Sequence, residues 1–291
     1  RDDERVYGGT GGYNNASLAS YFGRIDYNYA ERYMIQATVR RDGSSRFGPS
    51  HKWAVFPAVS LGWNVSNEPF MENRPDWLTS LKLRASWGKN GNDNISDFGY
   101  TSLTAMGNNY LFGQVAQKAN GSKATRLPNP DLKWEESEQT DIGLDLTVLG
   151  GRLTFYADYY YKLTKDMLMT ITLPAGSAAA RDLRYNGGEI ENKGFEFSVS
   201  SKNLVGKLKW NTDFNISFNR NKLKKLMLTQ VYYSAYTTDY VNQPVVRNMP
   251  GKPLGTFWGY ISDGVNPETG ELKYRDVNHD GVISASDRTD I

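Results

Sequence analysis

Cysteine is absent from the 291 residues, which excludes a disulfide framework, a thiolate metal site and a cysteine nucleophile. Histidine is scarce: His51 and His279 stand far apart and leave little from which to build an imidazole-based active site. No apolar run approaches the roughly 18 residues of a helical membrane span, so a helical membrane protein is excluded, although a barrel is not. Neither sign of charge dominates, with 34 Lys and Arg against 32 Asp and Glu, and so small a bias does not point to nucleic acid as a partner. No carboxylate pair, serine triad or phosphate loop suggests catalysis, and the chain is expected not to be an enzyme. Nothing at Arg1 resembles a signal peptide. The opening Arg1-Asp2-Asp3-Glu4-Arg5 reads as mid-loop and Asp290-Ile291 follows no closing strand, so an internal piece of a longer polypeptide is expected.

What is abundant is aromatic residues and glycine. Nineteen Tyr, twelve Phe and seven Trp make 13% aromatic, with 28 Gly, yet mean hydropathy is −0.60. Strict alternation produces that combination, because each apolar residue is diluted by a polar neighbour. Asp141 to Tyr161 displays it most clearly. Ile142, Leu144, Leu146 and Val148 alternate with Asp141, Gly143, Asp145 and Thr147. After Leu149-Gly150-Gly151, Leu153, Phe155, Ala157, Tyr159 and Tyr161 alternate with Arg152, Thr154, Tyr156, Asp158 and Tyr160. A period of two marks strands with one apolar and one polar face, and the glycine pair suits a tight hairpin. Each arm has the length of a tilted membrane-crossing strand, roughly 9 to 11 residues.

The same alternation predicts strands at about 18–29, 33–40 and 53–65, a brief one at 81–88, and a later pair around Phe195 to Val199 and Leu208 to Phe218. Residues 1–17, 41–52, 90–134 and 166–188 read as loops, and 66–80 as a short helical connection. Tyr29 and Tyr33 flank a turn, where an interfacial aromatic belt would place them. Short connections on one side and long ones on the other are the asymmetry of outer-membrane barrels. The fold expected is therefore all-β, an antiparallel transmembrane β-barrel to which this chain supplies about eight strands. Residues 1–220 would form strands and loops, and residues 221–291 an extracellular loop region. Because open sheet edges do not survive in hydrocarbon, the strands must close on themselves or join others. A soluble β-sandwich, including a calcium-stiffened adhesion or binding module, and a small eight-stranded porin-like barrel share the pattern. The polar faces, with Arg24, Asp26, Arg40, Lys82, Arg84, Asp141, Asp145, Asp158, Glu196, Lys209 and Asp213, should line the lumen.

One chemical motif stands out. Residues 276–287 place side-chain oxygens at loop positions one, three and five, glycine at six, an aliphatic at eight and a carboxylate at twelve, the spacing of an EF-hand calcium loop. The expected ligands are the Asp276, Asn278 and Asp280 side chains, the Val282 carbonyl and the Asp287 carboxylate, with water completing the shell. Aspartate replaces the usual glutamate at position twelve, and no amphipathic helix precedes the loop. A structural Ca²⁺ stiffening an external loop is expected, rather than a regulatory switch. An Asp/Asn/Gly turn without an ion is the alternative.

Several stretches together resemble the SusC/RagA family of TonB-dependent outer-membrane transporters of Bacteroidetes. They are Gly23-Arg24-Ile25-Asp26-Tyr27, the segments 41–48 and 56–63, Leu83-Arg84-Ala85-Ser86-Trp87-Gly88, Asn129-Pro130-Asp131-Leu132-Lys133-Trp134-Glu135, Glu191-Asn192-Lys193-Gly194-Phe195-Glu196, and the closing Gly259-Tyr260 to Asp287 with its calcium-like loop. The resemblance implies a 22-stranded barrel holding an N-terminal plug, energised through TonB, and lidded by a SusD-like surface lipoprotein that captures glycans or peptides. It implies import of oligosaccharides or peptides across the outer membrane. It also implies that the plug, the TonB box and the final strands lie outside this sequence. The long loops would form the partner and substrate surface.

Overall fold

The computed structural model describes residues 15–106, 110–112, 117–119, 121–173, 180, 182–236 and 243–291. Most of the expected opening loop, and Pro174 with the first two alanines after Ser177, lie outside the described residues.

Eight strands form one antiparallel sheet in which every strand pairs with its neighbours in sequence: β1 (Leu18–Tyr29), β2 (Tyr33–Ser44), β3 (Trp53–Asn64), β4 (Leu78–Asn92), β5 (Glu135–Val148), β6 (Leu153–Lys165), β7 (Gly188–Val205) and β8 (Lys209–Leu226). β1 and β8 are both edges, so the sheet is an open arc and not a small closed barrel. Hydrocarbon leaves no water to satisfy an unpaired edge, which makes the arc part of a larger wall.

Two hairpin turns depend on left-handed backbone. The β1–β2 turn has φ of 53° at Ala30 and 55° at Glu31, and the β5–β6 turn 63° at Gly150 and 83° at Gly151. Glycine takes that conformation without strain, whereas Ala30 and Glu31 do so under the constraint of the Tyr29–Tyr33 pair. Between β3 and β4 the expected helical connection is two short 3-10 turns, Val65–Asn67 and Pro69–Met71. Arg74 fastens it, donating to the Ser66 carbonyl at 2.8 Å and the Leu78 carbonyl at 3.1 Å.

The register aligns side chains into rows that cross the sheet. One row of the apolar face runs Tyr27, Ile35, Leu61, Ala85, Ile142, Tyr159, Phe195, Phe218. Ile25 is 72% exposed and Phe218 57%, and Phe197 is exposed as well. Leu144, Leu146 and Phe155 are half-buried, but by their own register partners on adjacent strands. A sandwich would bury this face under a second sheet; among the described residues no second layer covers it. Charged and polar residues occupy the opposite face, as the alternation requires.

The strand limits differ from expectation in several places. β2 runs on to Ser44, into the expected loop 41–52. β4 is fifteen residues long, since Lys89 to Asn92 carry no alternation yet pair with Glu135 to Glu138. β8 continues to Leu226, past residue 220. The long connections hold short strands, Leu103–Met106, Ser122–Leu127, Leu168–Thr172 and Asp182–Asn186, which join into a separate four-stranded sheet.

Candidate functional site

The polar face carries ion pairs within the wall itself. Arg84 on β4 donates from Nε to Asp145 on β5 and from Nη2 to Asp158 on β6, both at 2.8 Å. Gly143 lies beneath this clamp, where a Cβ would come within 2.3 Å of Asp158 Oδ1 and 2.7 Å of the guanidinium. Glycine is needed there for space. Arg24 pairs with Asp26 and Arg40 with Asp42, each at 2.7 Å. The polar residues were expected to line the lumen. These seven take partners on their own or neighbouring strands. An open trough of about 520 Å³ runs over Asp26, Gln36, Ser60, Lys82, Arg84 and Asp141. Its lining is hydrogen-bonding and of mixed charge, which suits contact with polar material; within it Ser86 Oγ donates to Asp141 at 3.3 Å.

Above the wall, on the long-loop side, lies a folded cap. Phe47, Phe56, Leu132 and Trp134 form a buried cluster against Ala54, Ile95, Tyr100 and Leu168, with Leu132 0% and Phe47 1% exposed. Phe56 belongs by register to the polar face, so the cluster sits on the inner side of the wall. Its ring fills the space over Gly91, where a Cβ would meet it at 2.0 Å. Polar side chains tie the surrounding loops. Trp134 Nε1 donates to the Lys52 carbonyl at 3.0 Å, and Arg46 pairs with Asp97 at 3.1 Å. Arg126 donates to the carbonyls of Thr101 and Phe98 and to Ser96 Oγ. Burial beside these neutral acceptors, with Arg184 nearby, lowers the Arg126 pKa from its ordinary value. The sequence reading put Phe47, Leu132 and Trp134 in loops and Phe56 in a strand, and nothing in their spacing brought them together.

On the short-turn side, Glu68 is buried beneath the β1–β2 turn and accepts from the Trp63 indole at 2.8 Å, with Arg32 at 3.5 Å. Hydrogen bonds from Tyr33 and Trp63 hold its carboxyl below the usual carboxylate range.

The five expected metal ligands fall in one loop, but its oxygens face its own amides. Asp276 Oδ2 accepts from Gly281 N at 2.7 Å, Asn278 Oδ1 from Asp280 N at 3.1 Å, and Asp280 Oδ1 from Val282 N at 2.9 Å. Asp287 is 0% exposed. Its Oδ1 accepts from Val277 N at 2.9 Å and its Oδ2 from Ser284 N at 2.8 Å, in a capping box on the 3-10 turn Ala285–Asp287. The amide of Ser284, then those of Val277 and Asn278, hold the Asp287 carboxyl below the ordinary aspartate value against the opposing effect of burial. The bend is made by His279 at φ 61° and Gly281 at φ 82°. Among the described residues no three His, Cys, Asp or Glu side chains converge as a metal cluster. The donor set is all hard oxygen, and a carboxylate that accepts three amides still keeps a lone pair, so the residue types suit Ca²⁺.

Comparison with known proteins agrees with this architecture. The family described as TonB dependent receptor-like, beta-barrel, matches residues 2–281. The chain belongs to that family. TonB-dependent receptor P3 of Formosa agariphila is 35% identical over 94% of this chain and 29% of its own length. TonB-dependent receptor SusC of Bacteroides thetaiotaomicron is 34% identical over 94% of this chain and 28% of its own. Among solved structures, the RagAB peptide transporter superposes with a TM-score of 0.79 at 26% identity, covering 95% of this chain and 30% of that one. This TonB-dependent receptor segment therefore spans under a third of the length of the relatives it matches. As a member of an outer-membrane barrel family it lies in the outer membrane, its apolar face toward lipid and its polar face toward the lumen.

Proposed function

We propose that this segment forms part of the wall and extracellular cap of a TonB-dependent importer of oligosaccharides or peptides that works with a SusD-like surface lipoprotein. The observation that supports it is the pairing of a polar, internally clamped inner face with a folded cap on the long-loop side, in a chain 34% identical to a SusC protein. Energy reaches such a barrel through TonB, and the cap loops meet partner and substrate. The test is deletion of residues 97–125 from the full-length protein, followed by lipoprotein co-purification and uptake assays. Loss of either is expected, and retention of both overturns the assignment of the cap.

The acidic loop takes a structural Ca²⁺ in this reading, through Asp276, Asn278, Asp280, the Val282 carbonyl and Asp287. The ion would supply charge to hold Asp276 and Asp280 together; the chain's own amides hold Asp287. Chelator should speed amide exchange across residues 276–287 and added Ca²⁺ should restore it. Exchange that is the same in calcium-free buffer removes the ion and leaves the self-capped turn.

A further inference from the structure

The acidic loop is fastened by both of its ends to one short stretch of chain. At its entry, Leu272–Tyr274 pairs with Ser262–Val265, and the Tyr260 and Tyr274 rings approach to 5.3 Å. Arg275 donates from its amide to the Ile261 carbonyl at 2.9 Å and from Nε to Asp263 at 3.1 Å. At its exit, Thr289–Asp290 pairs with Trp258–Gly259, and the Ile291 amide donates to the Phe257 carbonyl at 2.9 Å. The two anchorages, at Gly259 and Ile261, are separated by Tyr260 alone. Only a closed loop brings residues 275 and 288 to neighbouring points on that stretch.

The anchorages differ in strength. Entry combines a hairpin, an ion pair and a ring contact, whereas the exit ladder is two residues long, too short to hold a strand by itself. Arg288, which follows the buried Asp287, reinforces it. Its guanidinium lies 3.8 Å from the centre of the Trp258 ring and donates to the Trp258 carbonyl at 3.3 Å, to Gln243 Oε1 at 3.2 Å and to the Pro244 carbonyl. Asp290 accepts from Arg247 Nε at 3.0 Å, and Arg247 lies 5.3 Å over the same indole. Trp258 is thus where the exit of the loop meets a small sheet. There Tyr232–Tyr236 pairs with Pro244–Asn248, Val246 bridges to Phe257, and the Arg247 amide donates to the Thr256 carbonyl at 2.9 Å. Asn248, 1% exposed, pins the layers by donating to the Tyr232 carbonyl and Ser234 Oγ and accepting from the Gly255 amide at 2.7 Å.

We propose that the acidic loop is a clasp: closed, it seats Arg288 on Trp258 and so orders the external segment 244–259; opened, it releases the exit strand and loosens that segment. The amide bonds of Asp287 close the clasp. Ca²⁺ closes it further by screening Asp276, Asp280 and Asp287 from one another, a half of the proposal that rests on the calcium reading above. The exit yields before the entry because a two-residue ladder and one stacked cation must resist what a hairpin and an ion pair resist on the other side. The surface built on 244–259 then responds to an ion bound at 276–287.

Amide exchange on the full-length barrel in bilayers tests this, with protection of β5 and β6 as the mark of a folded wall. In calcium-loaded wild type, chelator should raise exchange in 276–287 and 244–259 together. Arg288→Gln should raise it about ten-fold in 244–259, the worth of a desolvated cation–π contact, and leave the amides of the loop protected. Asp287→Asn should loosen both regions without chelator. A loop that opens, under chelator or in Asp287→Asn, while 244–259 keeps its protection overturns the clasp, and so does an Arg288→Gln protein that exchanges like wild type. If chelator changes neither region while Asp287→Asn loosens both, the calcium reading fails and the clasp stands.

Discussion

The wall and the cap are made from the same chain by opposite physical means. In the wall, apolar side chains point outward and most stay exposed; order comes from the ladder and from clamps such as Arg84 with Asp145 and Asp158. In the cap, apolar side chains turn inward around Leu132, and order comes from packing, as in a soluble protein. The difference teaches where solvent changes. Exposed leucine and phenylalanine are stable against hydrocarbon, and a buried cluster is required only where the chain meets water.

Substitutions should separate the two regions. The largest effect is expected in the cap: Trp134→Ala removes a buried ring and its bond to Lys52, costing about 3–5 kcal/mol of local stability. Amide exchange should rise in residues 93–100 and 129–134 while β5 and β6 stay protected; protection lost equally in the wall would break the distinction. Next is Leu144→Arg, a charge on the lipid side of β5, expected to cost about 2–4 kcal/mol in bilayer refolding titrations. The same arginine introduced in place of Ser86 on the inner face should cost much less. Gly143→Val drives a side chain into the Arg84 clamp and should cost about 1–3 kcal/mol.

The smallest effect is the pH response of the acidic loop. Because amides depress the Asp287 pKa in the folded loop, its contribution is complete above the unfolded aspartate value, about 3.9, and is lost as pH falls through the lower folded value. Protection at Val277 and Ser284, taken relative to the intrinsic exchange rate at each pH, should therefore fall only in acid, and Asp287→Asn should lower it at neutral pH while flattening the response. A loop that loosens instead on alkaline titration would contradict the capping role.

The wall was legible because a period of two is local: Ile142, Leu144 and Leu146 declare their face within five residues. Tyr29 opposite Tyr33 and the Gly150-Gly151 turn were readable for the same reason. The cap was not legible. Phe47, Phe56, Leu132 and Trp134 come from separate segments and share no period, and Phe56 stands on the face that alternation marks as polar. The far half of β4 was missed because Gly91 and its neighbours carry no pattern; that stretch is held by the Phe56 ring and by Glu135 to Glu138. In the acidic loop the residue spacing was legible, but the commitment of Asp287 to three backbone amides was not, since a capping carboxylate and a metal-ligating one leave the same letter in the sequence.

The claim on which the rest depends is that lipid meets the apolar face of the wall. Spin labels placed one at a time from residue 141 to 147 in the full-length barrel, in bilayers, test it by comparing collision with oxygen and with a water-soluble nickel chelate. Labels at 142, 144 and 146 should favour oxygen and those at 141, 143, 145 and 147 should favour the chelate. Uniform protection from both reagents at the even positions would mean that protein covers that face, and would contradict the account.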